Sequence, residues 1–396
     1  MKQRGMTLIE LMVALTIGLG ITLAISSVLI ASENHKRTTT STNDAQQTGS
    51  YSFYALDKAL RGAGSGIAES AFPTDVGVLG CHLNAGTPAI FPRATPFPAP
   101  FAAFLGGVTN TLNVAPVLIG KTQSQDGVSD VVMVMGGSGS AGGVSRQITG
   151  GGNATSATLD NTVGFAGNDL VLVSQSGVPD CLMEQVIPPL IVGTPTLNFG
   201  GLYYTATATS ASMAGLATST STYVTPIGNA AANNIQFMLF GVDTNRTLFS
   251  YDLLQNLNVW GGAGADSAQA IADGVVQMNA IYGIDTTGAG IQNAWAGPGD
   301  AGWDIGTVMN SPAKMKQILS VRIALIVRGE YYDTTRKPDG TPIPVSPPTL
   351  TIFKGLASGA GSLQQTINLN LTEQQFRYRV FEFTVPLRNM LLLAGA

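Results

Sequence analysis

The chain has 396 residues, 11% of them charged, and a formal net charge of −4. Because charge is sparse and slightly acidic, the chain offers nucleic acid no broad basic surface. With two histidines and two cysteines, the sequence provides neither a histidine-based catalytic triad nor a multi-histidine metal site. We therefore expect no enzyme, cofactor or metal, and the length allows one large or two ordinary domains.

The chain begins with a segment that is long enough to cross a bilayer. Residues 11–31, LMVALTIGLGITLAISSVLIA, contain no charged residue, and about 20 apolar residues span the hydrocarbon layer as a helix. Lys2 and Arg4 precede this run, and basic flanks stay in the cytoplasm, so the rest of the chain is predicted on the far side. A cleaved secretory signal is the alternative, but it would have a shorter apolar core and a small-residue cleavage site.

Glu10 stands at the edge of this run, where a carboxylate is costly and marks a functional site that needs a partner. The stretch from Gly5 to Leu11, GMTLIEL, resembles the processing site of type IV pilins and type II secretion pseudopilins. In that family a membrane peptidase cuts after the glycine that ends a short basic leader, and the new amino terminus is methylated. The alternative is an ordinary amino-terminal anchor with a stray glutamate.

The resemblance implies cleavage between Gly5 and Met6, with methylation of Met6. The family most often has phenylalanine where this chain has Met6. It also implies that Glu10, the fifth residue of the mature chain, takes part in subunit assembly by pairing with the amino terminus of the adjacent subunit. The alternative for Glu10 is a position in the headgroup region, facing water.

A second helical segment follows the apolar run without a proline. Phe53, Leu56 and Leu60 recur at the spacing of one helix face, so this segment is predicted to pack on the rest of the protein. Glycines at 62, 64 and 66 provide a stop signal. A continuous helix from Met6 to Arg61 would be about 80 Å long, and Gly18 with Gly20 would allow a bend or close helix packing in its first half.

Six strands are predicted downstream from their apolar and alternating patterns. Because several of them alternate, the sheet should be largely antiparallel, with one covered face. Residues 88–101 and 205–222 add no period and are predicted to be long surface loops, the second partly disordered. The predicted strands are 129–135, 169–174, 234–242, 274–284, 319–327 and 376–385.

The expected fold class is therefore α+β and type IV pilin-like: a long amino-terminal helix packed on a mainly antiparallel β-sheet domain with long loops. The predicted divisions are a leader over 1–5, a transmembrane half-helix over 6–31, an amphipathic half-helix over 32–61 and a β-rich extracytoplasmic domain over 62–396.

Cys81 and Cys181 are the only cysteines, and an even pair outside the cytoplasm most often forms a disulfide. Closing a loop of this length stabilises the folded state by about 2–4 kcal/mol. Two separate buried thiols are the alternative.

Two glycine-containing motifs carry little weight. GGSGSAGG places Gly137, Gly139 and Gly142 after a strand, but no helix pattern follows to bind a phosphate. IGKTQS resembles the end of a phosphate-binding loop, yet Ala115 occupies the position of its first glycine. Arg322, Arg328 and Arg388 are expected to serve solubility or ion pairing rather than ligand binding.

Three segments of the last third are similar to those of the PilW group of minor pilins: IADGVVQMNAIYGID, LSVRIALIVRGEYYD and FRYRVFEFTVPLRNMLL, with Trp295 after the first. The resemblance implies a minor pilin that assembles with other minor pilins, primes polymerisation of the major pilin and can occupy the pilus tip. The alternative is a minor pseudopilin of a type II secretion system, and a membrane-tethered enzyme lacks residues to support it.

The implied partners are other minor pilins, the major pilin, the prepilin peptidase, the inner membrane and possible contact with a tip adhesin. The implied location is the bacterial inner membrane, with the domain in the periplasm, and then the pilus on the cell surface, where adhesion and twitching motility are among the roles of such fibres.

Overall fold

The computed structural model describes residues 7–68, 78–86, 90–93, 95–106, 111–137, 144–190, 193–232, 234–254 and 268–394. Its helices are α1 (Leu8–Gly62), α2 (Met213–Leu216), α3 (Ile305–Met309), α4 (Pro312–Gln317) and α5 (Arg388–Ala394). Its strands, in chain order, are β1 (His82–Asn84), β2 (Val117–Gly120), β3 (Val131–Gly136), β4 (Arg146–Gln147), β5 (Ser156–Thr158), β6 (Asp169–Gln175), β7 (Asp180–Gln185), β8 (Thr196–Asn198), β9 (Thr222–Asn229), β10 (Gln236–Val242), β11 (Thr247–Asp252), β12 (Gln269–Asp273), β13 (Val275–Ile284), β14 (Ala294–Ala296), β15 (Ile318–Arg328), β16 (Thr349–Ile352), β17 (Ala357–Ser358), β18 (Gly361–Ser362), β19 (Gln365–Asn368) and β20 (Tyr378–Pro386).

The first element is a single helix of 55 residues, about 80 Å long at the standard rise. It runs through Gly18 and Gly20 without a break. The helix ends where Gly64 and Gly66 adopt positive φ angles of 77° and 70°, a conformation that glycine adopts at little cost. The predicted long helix is confirmed, although Met6 lies outside the described residues.

Three main sheets follow the helix. The first has the order β1-β7-β6-β9-β4, the second β12-β11-β10-β3-β2, and the third β18-β17-β14-β13-β15-β20. Pairing is antiparallel except between β1 and β7 and between β14 and β17. Two small antiparallel pairs pack on these sheets: β5 with β8 on the first sheet, and β16 with β19 on the third. The predicted α+β class with a mainly antiparallel sheet domain is confirmed.

All six predicted strands are present, within two residues at each end, but the other fourteen described strands, among them β7, β9 and β11, were not predicted. The strand β9, TYVTPIGN, contains Pro226 and Gly228 in its interior, residues that usually disfavour a central strand. The pairing of β9 with β6 shifts register between Leu170 and Val171, where Val171 lies opposite Pro226. This bulge accommodates the proline.

The prediction that residues 88–101 form a surface loop is only partly correct, because the described residues form no helix or strand but their aromatic side chains are buried. Phe91, Phe97 and Phe101 are at most 2% exposed, and Phe97 packs against Phe104 and Tyr251 with ring centroids about 6 Å apart. The segment lacks a strand or helix period because its prolines prevent regular structure, yet its aromatic rings fill the core. Apolar burial, rather than backbone regularity, holds it in place.

The second predicted loop, residues 205–222, is also ordered against the core. Ser212 caps the short helix α2 by accepting a hydrogen bond from the backbone of Gly215, and Met213 and Leu216 are buried. These two side chains join a hydrophobic cluster between the first sheet and the β5–β8 pair. The prediction of a partly disordered surface loop is therefore wrong. It followed from the low-complexity composition of the segment and overlooked two apolar residues at helical spacing.

Candidate assembly site

The first half of α1 exposes its apolar side chains in every direction. Leu8, Leu15 and Leu23 are each more than half exposed, and among the described residues α1 is the one helix long and apolar enough to cross a membrane. A chain in water would not leave such a surface uncovered. Length and composition therefore fit a membrane anchor.

Glu10 lies at the amino-terminal end of this anchor and forms a capping box with Thr7. The backbone N–H and the hydroxyl of Thr7 each donate to Glu10 Oε2 at 2.9 Å, and Glu10 N–H donates to the Thr7 hydroxyl at 3.4 Å. The sequence signal is the TLIE spacing of a threonine followed three residues later by glutamate, which our sequence analysis did not use.

The capping box has a consequence for the predicted role of Glu10. Its carboxylate is held beside Thr7, the cap residue that directly follows the predicted amino terminus at Met6, and it keeps lone pairs for a further donor. Gly5 and Met6 lie outside the described residues. Cleavage, methylation and pairing with an adjacent subunit therefore stay predictions.

The second half of α1 packs on the third sheet through small residues. A side-chain carbon on Gly49 would lie 2.1 Å from the ring of Phe381 on β20, and one on Gly329 would lie 2.2 Å from the Ser41 hydroxyl. Glycine at these two positions therefore allows the helix to lie directly against the sheet. Both contacts fix the helix axis relative to the domain.

The predicted amphipathic face is only partly correct. Leu56 and Leu60 are fully buried, whereas Phe53 is 36% exposed and lies at the edge of the contact, edge-to-face on Phe383 with centroids 4.4 Å apart. The buried stripe instead continues through Ala45 and Ser52. The predicted helical spacing is correct for Leu56 and Leu60. Small residues extend the buried stripe, and the Phe53 ring lies at its edge.

The carboxy-terminal segment FRYRVFEFTVPLRNMLL, which resembles PilW, holds the carboxy-terminal end of α1 in place. Asn389 Nδ2 donates to the carbonyl oxygen of Ala63 at 2.9 Å, and Ala63 is the carboxy-terminal cap residue of α1. Leu387 and Met390 are fully buried beside it. This run therefore fastens the carboxy-terminal segment of the domain to the carboxy-terminal end of α1.

The arginines singled out in the sequence include two with structural ion pairs. Arg322 binds Glu382 at 2.7 Å and Arg328 binds Glu373 at 3.2 Å. Burial opposes ionisation of Glu373, but hydrogen bonds from Tyr378 and Arg328 outweigh it and lower the pKa of that carboxyl. Arg388 is exposed and has no ion-pair partner among the described residues.

Cys81 and Cys181 form the predicted disulfide. Their Cα atoms are 5.7 Å apart, and Cys181 lies on β7 opposite Leu83 of β1 in the parallel pair. The bond therefore ties the segment that follows the helix to the first sheet. Beside it, His82 Nδ1 lies 3.4 Å from Asp180, and no cluster of potential metal ligands occurs in the described parts of the chain.

Two buried carboxyl groups have perturbed pKa values. Burial raises the pKa of Asp130 to about 6, against backbone hydrogen bonds from Thr122 and Ala280, and these bonds connect the second sheet to the third. Burial raises the pKa of Glu184 to about 9, and its two carboxylate oxygens have no hydrogen-bond partner within the described chain.

The described parts of the two glycine motifs do not form a phosphate-binding loop. Gly137 has its backbone so close to Ile227 that a side-chain carbon would lie 1.6 Å from the Ile227 carbonyl oxygen, while Gly139 and Gly142 lie outside the described residues. Lys121 and Thr122 form the turn between β2 and β3, where the Thr122 N–H donates to Asp130. Neither segment precedes a helix, so neither has the geometry of a phosphate-binding loop.

Comparison with protein families identifies two regions of the chain. Residues 1–19 match the prokaryotic N-terminal methylation motif, and residues 238–389 match PilW, type IV pilus-assembly protein W. No curated protein and no solved structure matches the chain. The second match covers all of the third sheet and ends at Asn389, the residue that holds the helix end.

A methylation motif, a long apolar helix and a mainly antiparallel sheet domain together define a pilin-like protein. Together with the second match, these features support a type IV pilin-like PilW protein, related to type IV pilus assembly. The first sheet and its disulfide lie between the two matched regions.

Proposed function

We propose that this protein is a minor pilin, which joins other minor pilins in the membrane and primes polymerisation of the major pilin. The observation that carries the proposal is the combination of a methylation motif at residues 1–19 with a PilW region at residues 238–389 on one chain. The first supports entry into a pilin-type assembly, and the second supports a role in the type IV pilus rather than in a secretion system.

Assembly follows from the helix. The prepilin peptidase would remove residues 1–5, leaving a charged amine on Met6 close to Glu10. Neither charge is stable alone in hydrocarbon, so pairing with the amino terminus of an adjacent subunit would offset desolvation of both and fix the axial register of the two helices. The capping box supports this role because it aims the carboxylate at the helix end.

A place at the pilus tip is part of the proposal. The domain beyond Gly62 comprises three sheets on one helix, and a bulky domain is accommodated more easily at the end of a fibre than along it. In this account the domain lies in the periplasm before assembly and on the cell surface afterwards, where a tip adhesin is a candidate partner.

The test is complementation of a strain that lacks this gene. Gly5→Leu should leave an uncut precursor, measured by intact mass, and abolish surface pili. Lys58→Gln, a change at an exposed residue of the same helix, is the control and should restore wild-type pilus number. An uncut wild-type chain, or a loss of enzyme secretion with normal pili, would contradict the proposal, and the latter would identify a pseudopilin.

A further inference from the structure

A charged groove lies where α1 leaves the apolar segment. The groove has a volume of about 380 Å³ and lies between the helix and the segment after β15. Its walls carry both signs of charge. The lining residues are Glu33, Lys36, Arg37, Thr40, Ser41, Asp44, Glu330 and Tyr331.

The groove lies at the level of lipid headgroups if the apolar segment spans the bilayer. Lys36 is five residues beyond Ala31, about 8 Å along the helix axis, and the headgroup layer is about 5–8 Å thick. Tyr331 lies at the same level, since Arg37 stacks over its ring at 5.8 Å. Tyrosine is enriched at this depth of membrane proteins.

Several polar groups of the groove lack partners. Arg37 is paired with Glu33 at 2.9 Å, but Lys36 and Glu330 have no ion-pair partner among the described residues, and both are exposed. The Ser41 hydroxyl is only 4% exposed and has no hydrogen-bond partner within the described chain. A cation and a carboxylate are therefore available to a ligand, and the buried hydroxyl lies beneath them.

We propose that this groove binds the headgroup of a zwitterionic phospholipid with a primary amine, of the phosphatidylethanolamine class. The phosphate would accept hydrogen bonds from Lys36, with Arg37 adding positive charge. The primary ammonium would donate to Glu330, which a quaternary ammonium cannot do. The inference rests on the membrane anchoring in the proposed function, and it implies that the domain is held on the bilayer surface until assembly extracts the helix.

Lipid retention by the full chain tests the proposal. The protein is reconstituted in nanodiscs of phosphatidylethanolamine, phosphatidylcholine and phosphatidylglycerol in equal amounts, extracted in mild detergent, and the retained lipid is quantified by mass spectrometry. We expect at least threefold enrichment of phosphatidylethanolamine over either other lipid, lost in the Lys36→Gln/Glu330→Gln double variant.

Lys58→Gln is the matched control, because Lys58 is an exposed cation on the same helix, 22 residues further from the membrane. It should retain phosphatidylethanolamine as wild type does. Equal retention of the three lipids, preference for phosphatidylglycerol, or enrichment that survives the double variant would overturn the proposal. Loss of binding to other minor pilins with unchanged lipid retention would instead assign the groove to a protein partner.

These readouts use purified protein and no pili. A lipid result that fails while Gly5→Leu still blocks processing and piliation would reject the groove alone. Failure of processing in the wild type would reject the proposed function.

Discussion

The two halves of α1 have the same backbone and opposite environments. In the first half a side-chain carbon added at Gly20 would meet nothing within 4 Å, whereas in the second half one added at Gly49 would collide with Phe381. The first half therefore takes its stability from lipid or from other subunits, and the second from the domain. Changes in the second half should alter unfolding, and changes in the first should alter assembly.

The largest stability effect should come from the domain interior, at Glu184. Its pKa in the folded state is raised to about 9 from 4.5, so its contribution to stability is fully present below pH 4.5 and is lost as pH rises toward 9. One pH unit corresponds to about 1.4 kcal/mol for a one-proton difference. Chemical unfolding from pH 5 to 8 should therefore show a steeper loss of stability for wild type than for Glu184→Gln. Parallel curves would contradict the assigned protonation.

The disulfide should be the next largest contribution. The double variant Cys81→Ser/Cys181→Ser removes a constraint on a sequence separation of 100 residues, and we expect a loss of about 2–4 kcal/mol in the free energy of unfolding. Reduction of the wild type should give the same loss. A variant as stable as wild type would show that β1 and β7 are held by their packing alone.

Gly49→Ala compares the two halves directly. The added methyl group must displace the Phe381 ring, so we expect destabilisation of about 1–3 kcal/mol, measured by unfolding of the full chain in detergent. Gly20→Ala is the matched control and should leave domain unfolding unchanged, since alanine favours helix and meets no neighbour there. Equal effects at both positions would remove the contrast between the halves.

Asn389→Ala should have the smallest effect. It removes the hydrogen bond to the Ala63 carbonyl oxygen, worth about 1 kcal/mol net. Hydrogen exchange should show the increase in local opening in the last turn of α1, near Arg61. Unchanged protection there would mean that burial of Leu387 and Met390 alone fastens the helix end.

The sequence predicted the elements whose pattern is strong. The apolar run, the six strands and the disulfide were predicted correctly. Apolar periodicity is a local signal, and two cysteines allow a single intramolecular pair. The burial of Phe97 and Met213 was missed, since their contacts join residues far apart in the chain and their segments have irregular or low-complexity composition. The role of Asn389 likewise depends on a partner more than 300 residues away.

The candidate site was predicted in outline only. Glu10 was identified as an anomalous carboxylate, but its hydrogen bonds to Thr7 were not predicted, because the capping-box spacing was not considered. The fit of Gly49 against Phe381 depends on which ring meets the helix, and helical period cannot supply that information.

We propose that the charge of Glu10 contributes more to assembly than its capping of Thr7. A capping box accepts glutamine in place of glutamate, so Glu10→Gln keeps the cap and removes the charge, whereas Thr7→Val removes the two hydrogen bonds of the Thr7 hydroxyl and keeps the charge. The measurement is co-purification of each variant with the other minor pilins, normalised to cleaved protein in the membrane. We predict that Glu10→Gln lowers recovery at least tenfold with normal cleavage and that Thr7→Val lowers it severalfold less; wild-type recovery for Glu10→Gln would contradict pairing between subunits.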